Sequence, residues 1–193
     1  MTAHAFSVGP GRLQLVVADI TTLSVEAVVN AANPSLAGGG GVDGAIHRAA
    51  GPRLVAACLA HVREHGPLPT GQAVATPGFD LPASHVIHTV GPVWRGGVHG
   101  EPALLASAYR ESLLAAKALG LGSVAFPAIS CGAYGFPVEM VASTALRTLR
   151  QGLMDCLARE VTMCLFSDHA LDVWREAWEA LQGALPPAPP AGD

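Results

Sequence analysis

The chain has 193 residues, half of them hydrophobic and 13% charged, with a formal net charge of −4. That length and apolar content suit one compact domain with a sizeable core and exclude a disordered chain. The acidic balance argues against a protein that tracks a nucleic-acid backbone by charge, so no direct nucleic-acid binding is expected.

The N-terminus, MTAHAFSVGP, lacks the basic start and apolar core of a signal peptide, and no apolar run approaches a membrane span. Cytoplasmic localisation and no membrane partner are therefore expected. Apolar, β-branched runs then recur along the chain: LQLVVADI at 13–20, EAVVNAA at 26–32, QAVATP at 72–77, HVIHTVGP at 85–92, SVAFPAI at 123–129 and VTMCLF at 161–166. Between them lie stretches of helical spacing. Residues 43–50 open one helix, and PRLVAACLAHVREHG forms a second with Pro52 tolerated in its first turn. EPALLASAYRESLLAAKALGLG and PVEMVASTALRTLRQGLMD are longer candidates, and ALDVWREAWEALQGAL is a last amphipathic helix. Strands alternating with helices predict a three-layer α/β domain over residues 1–185 with a largely parallel sheet. The proline-rich residues 186–193 are expected to be a disordered tail.

Polar punctuation comes after the strands. Asp19 ends the first run and Asn33 follows the second; Gly91 and Pro92 follow HVIHTV; SCGAYG follows SVAFPAI; Ser167 and Asp168 follow VTMCLF. In a parallel sheet the carboxyl ends of strands share one edge, where ligand crevices form. Five polar or glycine-rich segments therefore converge on one mouth.

Two of these segments resemble loops that grip anions. Gly38 to Gly41 precede a helix, and Ser130-Cys131-Gly132-Ala133-Tyr134-Gly135 precedes another that begins near Pro137. Bare backbone N–H groups at such places suit a phosphate or polyol. Neither GxxxxGK[ST] nor a GxGxxG after a strand occurs, so the ordinary nucleotide motifs are excluded. The bland alternative is a pair of flexible surface loops. Asp43 is either a helix cap or a carboxylate that takes a proton from water. Asp19 either caps the turn after it or accepts a hydrogen bond from an exocyclic amine. Cys58, Cys131, Cys156 and Cys164 show no CxxC spacing and read as free thiols. No metal or cofactor is called for by any ligand cluster in the sequence.

The run Asn30-Ala31-Ala32-Asn33, followed by Gly38-Gly39-Gly40-Gly41-Val42-Asp43-Gly44-Ala45-Ile46-His47-Arg48-Ala49-Ala50-Gly51, resembles the signature of MacroD-type macrodomains. The likeness covers nearly the whole chain: Ala18 to Thr21, His88 to Trp94, Phe126 to Ser130 and Gly132 to Pro137 match further family segments. It is particularly similar to the bacterial O-acetyl-ADP-ribose deacetylases. The resemblance implies a three-layer α/β/α macrodomain sandwich with a mixed, largely parallel central sheet, holding ADP-ribose. By that likeness Asp19, supported by the Ile20 N–H, would bind the adenine amino group, and Phe166 would lie against the ring. The backbone of Ser130, Cys131, Gly132, Ala133 and Tyr134 would hold the diphosphate, with Tyr134 covering the distal ribose. Gly40, Gly41 and Val42 would approach that ribose. Asn33 would position it or a water, and Asp43 would activate the attacking group, making Asn33 and Asp43 the catalytic pair.

The second loop departs from the family, which more often has threonine and a bulkier aliphatic at Cys131 and Ala133 and tyrosine at Phe136. Ser167-Asp168-His169 departs from the usual acidic run. Cys131 has no neighbouring histidine in sequence and reads as a structural thiol. His47 and His88 read as structural, Trp174 and Trp178 as packing four apart on a helix, and Trp94 as a residue at the mouth. Three functions compete. One is a hydrolase acting on O-acetyl-ADP-ribose or on mono-ADP-ribosylated proteins. The second is an ADP-ribose-binding module without chemistry. The third is a regulator that binds a partner such as a ribonuclease.

Overall fold

The computed structural model describes residues 3–184, so the expected tail at 186–193 lies outside the described residues. Seven strands form one sheet: β1 Ala3–Val8, β2 Gly11–Val17, β3 Ala27–Ala31, β4 Ala73–Pro77, β5 His85–Thr89, β6 Ser123–Pro127 and β7 Glu160–Leu165. Their order is β1-β2-β7-β6-β3-β5-β4. The inner five, from β2 to β5, run parallel, while β1 and β4 pair antiparallel at the two edges. The sheet is mixed and largely parallel, as the alternation of runs predicts.

β1 is the one strand that the apolar runs do not announce. Its residues alternate between exposed and partly buried, so it carries no continuous apolar run. It folds because the Gly9–Pro10 turn returns the chain onto β2 and because Phe6 packs against Trp178, with ring centroids 5.1 Å apart.

Five helices cover the sheet: α1 Gly41–Ala50, α2 Pro52–His65, α3 Glu101–Ala118, α4 Val138–Met154 and α5 Asp168–Gly183. Two apolar cores lie on opposite faces of the sheet. Side chains two apart on a strand share a face, so Ala27, Val29, Ile87, Val124, Phe126 and Met163 join α3, α4 and α5. Val28, Val86, Ala125 and Cys164 join Ile46 of α1 and Leu54 and Cys58 of α2. Three layers result. Trp174 and Trp178 are buried packing residues on α5, as their spacing predicts. All four cysteines are free thiols. No helix among the described residues is long and apolar enough to cross a membrane.

Candidate functional site

Because β2, β7, β6, β3 and β5 are mutually parallel, their carboxyl ends do share one edge. Asp19, Phe166, the 128–136 segment, Asn33 and Gly91 each leave that edge within a few residues of a strand end. A cavity of ≈ 460 Å³ opens there, with Asp19, Ile20, Val42, Cys164 and Phe166 among its lining residues.

Asp19 caps the short 3-10 turn Ile20–Thr22. One carboxylate oxygen, Oδ1, accepts from the Thr21 amide at 2.9 Å and the Thr21 hydroxyl at 2.8 Å. Capping and ligand binding are therefore compatible, since Oδ2 makes no hydrogen bond among the described residues. The nearby Cys164 thiol is pushed up to about 12, first by burial and then by the Asp19 charge. Phe166 is 80% exposed although it lines the cavity. Ser167 instead caps α5, accepting from the Ala170 amide at 3.2 Å.

The glycine run and Asp43 meet as a unit. Gly40 is the N-cap of α1 and Gly41, with φ +58, turns the chain into the helix. A side chain at that φ is strained. A Cβ on Gly39 would stand 3.0 Å from Asp43 Oδ2 and 3.7 Å from Asn33 Nδ2, so the loop passes directly over the carboxylate. Asn33 Nδ2 donates to the Gly38 carbonyl at 2.9 Å, and its Oδ1 accepts from Ser35, which holds the loop in place. Asp43 lies in the first turn of α1 but makes no cap bond. It is 5% exposed and points inward. The helix N-terminus, with its unpaired N–H groups, favours a negative carboxylate there. Of the two readings open in sequence, the cap is set aside.

The second loop presents its backbone. Ser130 is buried with φ +68, an outlier for a non-glycine residue of the kind that gathers at ligand sites. Phe136 N–H closes back on the Ser130 carbonyl at 3.1 Å and Gly135 N–H on Gly132 at 2.9 Å. The amides of Gly132, Ala133 and Tyr134 donate no hydrogen bond among the described residues. Such a row of free N–H groups is a cradle for an anion. Trp94 braces it: its amide donates to the Tyr134 carbonyl at 2.9 Å and its ring packs on Phe136 at 4.4 Å. Burial and the Glu139 charge push the Cys131 thiol up to about 11, which leaves almost no thiolate for attack at neutral pH. The second loop does not itself line the cavity; it begins just beyond Pro127, which does.

Behind Asp43 lies a group of side chains for which the sequence suggests no site role. Asn30 Nδ2 donates to Asp43 Oδ1 at 2.7 Å and stands 3.2 Å from His88 Nδ1. Thr76 Oγ1 is 3.0 Å from His88 Nε2, and Cys58 Sγ is 3.5 Å from the same nitrogen. His47 Nε2 approaches Asp43 Oδ1 at 3.4 Å without making a hydrogen bond. Burial, reinforced by His47 and His61, drives His88 down to about 3, so its ring is neutral. His47, Cys58 and His88 bring ligand-type atoms within 4.8 Å of one another, where the sequence suggested no cluster at all. Both nitrogens of His88 are engaged by Asn30 and Thr76, which accounts for the ring as a hydrogen-bonding group. The available signal was alternation: Asn30 shares a face with Val28, and His88 with Val86.

The family model for the macro domain matches residues 29–145. A macro domain-containing protein of Chlorobaculum tepidum is 57% identical over 164 residues, 84% of this chain and 93% of that protein. An O-acetyl-ADP-ribose deacetylase of Klebsiella pneumoniae is 52% identical over the same shares of the two chains. The Oceanobacillus iheyensis macrodomain solved with ADP superposes with a TM-score of 0.91 at 40% identity, covering 95% of this chain and 98% of that one. The Trypanosoma brucei macrodomain in complex with ADP-ribose has a TM-score of 0.78 at 36% identity, covering 86% and 68% respectively. On sequence and fold together, this chain belongs to the macro domain family.

Proposed function

We propose that this protein is an ADP-ribosyl ester hydrolase, which removes the acyl group from O-acetyl-ADP-ribose and/or mono-ADP-ribose from acidic side chains of proteins. The observation that carries the reading is Asp43. Its carboxylate is buried under a glycine loop, with Oδ1 held from behind by Asn30 and Oδ2 turned toward Gly39 and Asn33. A pure binding module has no use for such a carboxylate. Relatives that carry the name O-acetyl-ADP-ribose deacetylase, and neighbours solved with ADP and ADP-ribose, support the same choice.

In this reading Asp19 takes the adenine amino group, Ile20 N–H supports it, and Phe166 covers the ring. The free amides of the second loop hold the diphosphate, and Tyr134 covers the distal ribose. Gly40, Gly41 and Val42 let that ribose come close, and the second N–H of Asn33 Nδ2 orients it or the water. Asp43 Oδ2 removes a proton from water as its oxygen bonds to the acyl carbon. The tetrahedral intermediate then collapses, the bond from carbon to the ribose oxygen breaks, and that oxygen takes the proton back from Asp43, which returns the carboxylate to its ionised form. A positioned base of this kind contributes about 10² to 10⁴ in rate.

The test is incubation of the protein with O-acetyl-ADP-ribose and with a glutamate-linked mono-ADP-ribosylated protein, without added metal. Free ADP-ribose would be counted by mass spectrometry. Release from either substrate is expected. Absence of release from both, with ADP-ribose binding intact by calorimetry, would turn the assignment to a binding module.

A further inference from the structure

The polar group beneath α1 is ordered across three strands. β4, β5 and β3 are neighbours in the sheet, and Asn30 sits opposite His88 in the register. Thr76 lies opposite Val86, one step diagonally from His88. Side chains two apart share a face, so Thr76, His88 and Asn30 all point to the layer of α1 and α2. Each is buried, His88 and Asn30 with no exposed surface at all. A sheet face under two helices is ordinarily apolar, and polar groups there are costly unless every hydrogen bond is matched.

The hydrogen-bond directions can be worked out from the carboxylate end. An ionised Asp43 only accepts, so Asn30 must present its NH₂ to Oδ1 and not its carbonyl. The other N–H of the same NH₂ then points at His88 Nδ1, which must be the bare, accepting nitrogen. The proton of the neutral ring is therefore on Nε2, which donates to Thr76 Oγ1. Thr76 can accept because its own proton goes to the Pro77 carbonyl at 3.2 Å. One arrangement satisfies the whole chain, and it runs one way. Asn30 Oδ1 is buried and accepts no hydrogen bond among the described residues, while both N–H groups of the same amide face Asp43 and His88.

We infer that Thr76, His88 and Asn30 are positioning residues, a one-way hydrogen-bond chain that fixes Asp43 Oδ1 and leaves Oδ2 for the substrate. The inference rests on the reading of Asp43 as the base. None of the three touches the reacting atoms; they act through the carboxylate.

Thr76→Val is the test, because it keeps the shape and removes the hydroxyl. It should lower kcat about tenfold, since one bond of the chain is lost and the carboxylate itself remains. KM should stay within twofold, and Thr76→Ser should restore the rate. Nitrogen NMR of the wild type should show His88 as the Nε2–H tautomer, and Thr76→Val should shift that signal. A His88 carrying its proton on Nδ1 in the wild type overturns the chain even if every variant misfolds. A folded Thr76→Val enzyme with unchanged kcat also overturns it. Asp43→Ala, run beside them, separates the two readings: full activity in that variant defeats the assignment of the base. An inactive Asp43→Ala with a fully active Thr76→Val defeats only the positioning chain.

Discussion

Asp19, which lines the cavity, and Asp43, which lies beneath the glycine loop beside it, are carboxylates built in opposite ways. Asp19 is exposed and held by its own neighbours, with Thr21 donating twice from two residues away. Asp43 is buried and held by Asn30, which is itself seated by residues 46 to 58 positions further along the chain. A locally held carboxylate in contact with water suits recognition, where it exchanges solvent for a ligand donor at modest cost. A carboxylate gripped by a remote buried network suits chemistry, where orientation is fixed before the substrate arrives. The comparison makes distinct demands on the two residues.

The largest effect should come from Asp43. Asp43→Ala is predicted to lower kcat by about 10² to 10⁴ while ADP-ribose binding changes little, because in the proposed reaction the lost group acts on the attacking water. Steady-state kinetics beside calorimetry would measure both. A variant that binds tenfold more weakly yet turns over normally would reverse the division of labour. For Asp19→Ala the opposite split is expected. Binding should weaken about tenfold, the loss of one hydrogen bond to a charged group at an exposed position, with kcat nearly unchanged. Equal losses in kcat for both variants would remove the contrast altogether.

The buried network behind Asp43 has a signature in stability as well. His88 is held at about 3 by burial, whereas an unfolded histidine titrates near 6.5. Between those values the unfolded chain carries a proton that the folded chain does not. Stability is therefore fully present above about 6.5 and is lost as pH falls toward about 3. The contribution of this one ring is about 1.4 kcal/mol per pH unit inside that window. Urea unfolding of the wild type at pH 6 and pH 5, compared with His88→Gln, should show a flatter dependence in the variant. Parallel curves would mean that His88 is protonated in the fold. The Asn30–His88 pairing would then need a different polarity.

Legibility in the sequence divides along the same line. The five parallel strands could be read because β-branched runs such as VTMCLF and HVIHTV identify themselves locally, and Asn33 and Asp43 stand in a dense motif. The cap of Asp19 on Thr21 needs three adjacent residues and nothing more. Asn30 and His88 were out of reach for a physical reason: their contact depends on the register of β3 against β5, which is set by the whole sheet. Alternation places Asn30 on the face of Val28 and His88 on that of Val86, but not that the two faces meet under α1. β1 was missed because its apolar residues alternate with exposed ones and its partner is an edge.

The smallest effect should come from Cys131, and it sharpens the contrast by removing a rival nucleophile. The thiol sits in the second loop, where a reactive cysteine would offer a second route to ester cleavage. Burial and Glu139 push it up to about 11, so at pH 7.5 almost none is thiolate. No histidine or cation stands in the contacts described for it, and the amides of Gly132, Ala133 and Tyr134, which the proposed function assigns to the diphosphate, donate no hydrogen bond among the described residues. Cys131→Ser should therefore keep kcat and KM within about twofold, and wild-type activity should survive treatment with iodoacetamide at neutral pH. An acylated Cys131 trapped by mass spectrometry during turnover would move the chemistry from the buried carboxylate to the loop. The network beneath α1 would then have to be explained by packing alone.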